Sequence, residues 1–151
     1  MLEAYGLHPD AFTSSVDERA NLPLAWWQAR LDPVPLAGEM LFVAFDGDTL
    51  LGVAGLAFDP LKGAPQGQPA RHVCAGEFAP ARPRLQLVRA VLASGAACRG
   101  VKLVQLTVTQ GNLAAQALYQ RCGFVAFGLE PYAVAVGDAY LAKVHMWFEL
   151  A

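Results

Sequence analysis

Residues 101–124, VKLVQLTVTQGNLAAQALYQRCGF, constrain the fold more than any other stretch. Val101, Leu103, Val104, Leu106 and Val108 make a near-continuous apolar run, broken by Lys102 and Gln105. Such a run suits a strand covered on both faces. Gln110 and Gly111 supply a turn. Asn112 is placed to cap a helix, because its side-chain oxygen can accept from the free amides of the first turn. Leu113, Ala114, Ala117 and Leu118 give that helix an apolar face, and Gly123 ends it where a left-handed residue is favoured. The helix therefore starts at the carboxyl end of a central strand, where open α/β sheets place ligands.

The rest of the chain supplies partners for this unit. Residues 1–30 read as helical, with Ser14 or Ser15 as a cap, Asp17 and Glu18 in a first turn, and Pro23 as a break or kink. Leu24, Trp27 and Leu31 share one helical face. A loop at 32–38 leads to strands at 39–45 and 49–58, joined by the hairpin turn Asp46-Gly47-Asp48. Gly52 and Gly55 mark a bulge or a close approach in the second of these. Residues 59–69 form a surface loop, 71–79 a strand, and 83–97 a helix with Leu85, Val88, Val91, Leu92 and Ala96 on one stripe. After the central unit come strands at 124–128 and 144–150, joined by 131–141. The order predicts an α/β (α+β) fold: one domain over 1–151, with a mixed sheet and helices on both faces.

Composition narrows the function. Apolar residues make up 55% of the chain and the net charge is −2, so nothing in the balance of charge invites nucleic acid. No run approaches the roughly 18–20 apolar residues of a membrane span. The N-terminus lacks the basic and apolar regions of a secretory signal. Cys74, Cys98 and Cys122 are widely spaced and odd in number. They read as reduced core thiols of a cytoplasmic protein, without metal-ligand spacing.

Asn112, Ala115, Leu118, Tyr119, Gly123 and Phe124 fit the pattern N-x-x-A-x-x-L-Y-x-x-x-G-F. This resembles the second conserved motif of the GCN5-related N-acetyltransferases, the GNAT superfamily. The likeness continues through Gly128-Leu129-Glu130-Pro131, Gly137-Asp138-Ala139-Tyr140 and the strand around Met146. It implies the GNAT fold, with a mostly antiparallel central sheet. By the same comparison the sequence starts inside the family's first helix, so either the true start lies upstream or the family's first strand is missing; the second case would leave a sheet edge bare. A bare sheet edge is a pairing hazard, which makes a homodimer an expectation.

The resemblance implies acetyl-CoA as cosubstrate, held between the strands at 71–79 and 101–108. Its pyrophosphate normally meets a turn of the form R/Q-x-x-G-x-G/A, where free amides at a helix N-terminus bind anions. The aligned segment, Pro80-Ala81-Arg82-Pro83-Arg84-Leu85-Gln86-Leu87-Val88-Arg89, puts Arg84, Gln86 and Val88 at the three glycine-type positions. The motif is degenerate. Good helix formers follow Pro83, so the helix is expected to start near Pro83, with Val88 crowding the site. Arg82 and Arg84 offer another way to hold a pyrophosphate, through charge-assisted bonds. The implied cofactor-binding positions are Phe78, Ala79, Arg82, Arg84, Gln86, Leu87, Val88, Asn112 and Ala115.

By family position, Tyr119 protonates the leaving thiolate. Strand alternation puts Val73, Ala75, Glu77 and Ala79 on one face, which makes Glu77 a candidate to take a proton from the amine. Its bland reading is a carboxylate paired with a nearby Arg or His. Trp26 and Trp27 either pack or line a substrate groove, and Glu130 reads as structural. The resemblance thus implies an acetyl-CoA-dependent N-acetyltransferase acting on a small-molecule or peptide amine, with no metal. The alternative is a GNAT-fold binding or regulatory module that has lost the cofactor.

Overall fold

The structure, a computed structural model, describes residues 20–31, 39–58, 69–75, 81–98, 100–137 and 139–150. The expected helix caps before residue 20, the expected loop at 32–38 and all but Pro69 of the expected loop at 59–69 lie outside the described residues, and Pro69 opens a strand. Helix α1 (Leu24–Leu31) begins just after Pro23, whose carbonyl accepts the Trp26 N–H at 2.9 Å. Pro23 breaks the helical stretch because its ring cannot sit in a helix interior. The elements that follow are β1 (Glu39–Asp46), β2 (Thr49–Phe58), β3 (Pro69–Ala75) and α2 (Ala81–Ala97). Next come β4 (Leu103–Thr109), α3 (Leu113–Arg121), β5 (Val125–Val136) and β6 (Ala139–Glu149).

The six described strands form one sheet in the order β1-β2-β3-β4-β6-β5. Every neighbouring pair is antiparallel except β3 and β4. The β1–β2 register is irregular between Ala44 and Phe45, opposite Gly52, as glycine in a strand leads one to expect. Helix α1 touches β1. Helix α2 lies against β1, β2, β3 and β4, and its Leu87, Val88 and Val91 meet Ala54, Leu56, Val104, Leu106 and Met146 in the core. Helix α3 adds Tyr119 to the same cluster, with Ala115 and Leu118 packed against it. No helix among the described residues is long and apolar enough to cross a membrane.

Three expectations change. Strand β4 is not covered equally on both faces. Val104, Leu106 and Val108 are buried on one face, while on the other Leu103 and Gln105 are half-buried and Thr107 is exposed. The helix expected from Pro83 starts at Ala81, which puts Pro83 in the first turn, where it removes no helical bond. Residues 131–141 are not a connecting loop. They are mostly the two arms of a long β5–β6 hairpin. Pro131 reads as a breaker, but β5 is an edge strand, where a missing N–H costs no ladder bond. The register slips between Glu130 and Val134, and Tyr132 adopts a φ of 56° there.

Two glycines are fixed by different causes. Gly123 has a φ of 97°, and a Cβ on it would lie 3.0 Å from Phe148 Cε2. Gly95 sits inside α2, where a Cβ would lie 3.3 Å from Leu150 Cδ1, the end of a flexible side chain. Gly123→Ala is expected to cost about 2 kcal/mol, since it adds a left-handed alanine to a close contact. In Gly95→Ala a helix-propensity gain of about 1 kcal/mol offsets the tighter contact, leaving stability nearly unchanged. Urea unfolding of the two variants checks this, and equal midpoints would contradict it.

Candidate functional site

The sheet opens where β3 leaves β4. Among the described residues the two strands pair only at Pro69↔Leu103, Ala70↔Val104 and Arg71↔Gln105. Beyond that point β3 stays paired with β2 as far as Ala75↔Val53. Strand β4 stays paired with β6 as far as Thr109↔Lys143. From Leu106 onward β4 therefore has one ladder edge without β3, and a cleft opens towards the carboxyl ends of both strands. Helix α3 starts at that end of β4, and α2 is the next helix after β3. Helix starts gathered at strand carboxyl ends are where such sheets bind ligands.

Helix α2 is continuous through 84–88, so its amides from Leu85 onward point back along the helix. Only the first turn keeps free amides, and Pro83 has none to give. Leu87 and Val88 are 7% and 1% exposed and belong to the core. Both side chains pack into the core with Val91, Leu56 and Val104. Gln86 is exposed. Arg82 is exposed and Arg84 half-buried, and both line a cavity of about 190 Å³ between α2 and α3. Leu85, Ala114, Ala117 and Leu118 form its apolar wall, and Arg121 closes it from α3. Three arginines thus line one cavity, and among the described residues its lining holds no carboxylate. The Arg84 Nε is buried and, among the described residues, has no hydrogen-bond partner. Sequence reading missed Arg121. The signal was the spacing of Ala114, Ala117, Leu118 and Arg121 on one helical face.

Asn112 caps α3 as expected, its Oδ1 accepting the Ala115 N–H at 3.0 Å. Tyr119 is 6% exposed, and its ring meets Phe124 edge-on with centroids 5.6 Å apart. Phe124 in turn leans on Phe148 at 5.5 Å. The Tyr119 ring is held by the core, one position from Leu118 of the cavity. Trp26 is half-buried on α1, and Trp27 follows it in the same helix. Glu77, Phe78 and Ala79 lie outside the described residues. Burial pushes the Cys122 thiol up, while Arg89 and Arg121 pull it the other way. A thiol held protonated in this way is a poor nucleophile. Among the described residues no three metal-ligating side chains converge.

The sequence profile of the Acetyltransferase (GNAT) family matches residues 2–124. Among curated proteins none matches the sequence. Solved structures share the fold at low identity. The putative acetyltransferase yncA from Salmonella typhimurium, solved with its cofactor acetyl-CoA, is 18% identical with a TM-score of 0.72. That likeness covers 99% of this chain and 85% of that one. Arabidopsis thaliana NAA60 in complex with acetyl-CoA is 14% identical, TM-score 0.73, over 99% of this chain and 93% of that one. Ribosomal-protein-alanine N-acetyltransferase from Brucella melitensis is 17% identical, TM-score 0.72, over 99% and 91%.

The Asn112 cap gives a direct test of how α3 is positioned. Asn112→Ala should lower stability by about 1 kcal/mol in chemical denaturation, and Asn112→Ser should keep most of it. Equal losses would mean that the cap is not what sets the start of α3.

Proposed function

The chain belongs to the acetyltransferase (GNAT) family, and from that premise we propose that it moves an acetyl group from acetyl-CoA to the amine of a small molecule or peptide. The observation that carries this reading is the early parting of β3 from β4 beside an arginine-lined cavity. Acetyl-CoA supplies a thioester activated for attack. Its phosphates carry several negative charges, and Arg82, Arg84 and Arg121 answer them with guanidinium groups. The Arg84 Nε, buried without a hydrogen-bond partner among the described residues, supports a role for that side chain in holding an anion. Charged arms here replace the amides that a glycine-rich turn would offer, and Gln86 stands exposed beside them.

Along the cleft, Phe78, Ala79, Asn112 and Ala115 are the residues proposed to line the cofactor's arm. Trp26 and Trp27 are proposed for the acceptor groove. Glu77 takes a proton from the nitrogen, and Tyr119 gives its phenolic proton to the departing thiolate. A second reading has one observation behind it. Residues 84–88 form closed helix where the family's anion-binding turn is expected, which suits a binding module that has given up the cofactor.

Thermal unfolding with acetyl-CoA and with CoA separates the two. At about 100 times its dissociation constant a ligand adds about 2.7 kcal/mol, or about 5–10 °C for a chain this long. Arg84→Ala is expected to weaken binding about tenfold or more. Tyr119→Phe should bind as the wild type does and turn over about 100-fold more slowly. No shift with either ligand would favour the module.

A further inference from the structure

The face of the sheet opposite α2 and α3 carries a polar strip that the reading above leaves unused. By register, Thr107 and Thr109 of β4 stand opposite His145 and Lys143 of β6. Gly128 and Glu130 of β5 stand opposite the same two residues from the other side. His145 Nε2 lies 2.9 Å from Glu130 Oε2, and the Phe127 ring meets the imidazole edge-on at 5.8 Å. The ring is thus held from two sides, yet the side chain stays 33% exposed. Its neighbour Thr107 is exposed and lies beyond Gln105, the last residue of β4 that pairs with β3. Side chains opposite each other on antiparallel strands lie about 5 Å apart. The imidazole is therefore one strand away from the cleft, on the face turned from the arginine cavity.

We propose that His145, oriented by Glu130, takes the first proton from the acceptor's ammonium group and so produces the attacking amine. The proposal rests on the acetyl-transfer reading above. With Nε2–H donating to the Glu130 carboxylate, Nδ1 keeps a lone pair that can accept a proton. The tautomer follows from the hydrogen bond. The nitrogen gives one proton to Nδ1, and the imidazolium passes it to water. The nitrogen lone pair then forms the C–N bond at the thioester carbonyl. The second nitrogen proton leaves through Glu77 or water, the C–S bond breaks, and Tyr119 protonates the sulfur before regaining a proton. Glu130 and Lys143 are the charged groups on the strip nearest His145 among the described residues. Glu130 holds the ring through its contact with Nε2. Burial pushes the Lys143 ammonium's pKa down, with Glu130 pulling it back up.

The test uses His145→Gln and Glu130→Gln in the full chain, with folding checked by circular dichroism and acetyl-CoA affinity by calorimetry. The probes are two peptide pools, one offering a free α-amino group (pKa about 8) and one only a lysine ε-amino group (pKa about 10.4). Both variants should bind acetyl-CoA as the wild type does. His145→Gln should lower kcat/KM about 100-fold for the ε-amine, and less for the α-amine, which is already partly deprotonated. Glu130→Gln should fall between this variant and the wild type. A merely structural role would not make the loss depend on amine basicity. A second measurement is ¹⁵N NMR of the wild-type imidazole, which should show protonation at Nε2. Wild-type acetylation left unchanged in His145→Gln, or an Nδ1–H tautomer, overturns this proposal alone. A wild-type protein that binds no acetyl-CoA overturns the acetyl-transfer reading and this proposal with it.

Discussion

The three-residue parallel pairing of β3 with β4 is the constraint on which the rest of the structure depends. A strand in the middle of a sheet normally satisfies both of its edges, because an unpaired buried amide or carbonyl is costly. Here β4 gives up one edge from Leu106 onward, and the antiparallel ladders on the outer sides of both strands keep the sheet together across the gap. The opening stays in place because core packing holds β4 from one face. Val104, Leu106 and Val108 are locked under α2 and α3, while Thr107 remains open on the other face. An extended ligand carrying its own amides suits such a gap, in the way that peptides add to a free sheet edge.

The second constraint is the early start of α2. By becoming helical at Ala81 the chain spends on its own ladder the amides that a glycine-rich turn would leave for an anion. In return Leu87 and Val88 seal the core, and Arg82 and Arg84 are carried to the wall of the cavity. Only 16% of this chain is charged, yet three arginines gather at one cavity with no carboxylate in its lining among the described residues. A guanidinium group donates in a planar fork that matches phosphate oxygens, so three of them can replace a nest of amides.

What the sequence disclosed and what it hid divide by range. The strand–turn–helix unit from Leu103 to Arg121 was legible because its signals are local: an apolar run, an Asn cap and a Gly stop. The β1–β2 hairpin was legible for the same reason. The β5–β6 hairpin was not, since Pro131 reads as a breaker until β5 is known to lie at the sheet edge. The arginine cavity was half legible. Arg82 and Arg84 stood in the expected motif, but Arg121 joins them only through the packing of α3 beside α2. The Glu130–His145 pair was hidden because two register shifts in β5 decide which of its residues faces His145. No count of alternating positions reveals that.

The central claim is that the arginines lining the cavity between α2 and α3 hold the phosphates of a CoA thioester. Calorimetric titration of CoA against pantetheine, which has the same thiol arm but no nucleotide, tests this most directly. The account predicts that CoA binds at least about tenfold more tightly, the worth of one charge-assisted contact of about 1.4 kcal/mol or more. Equal affinity for the two, or no binding of CoA at all, would contradict it.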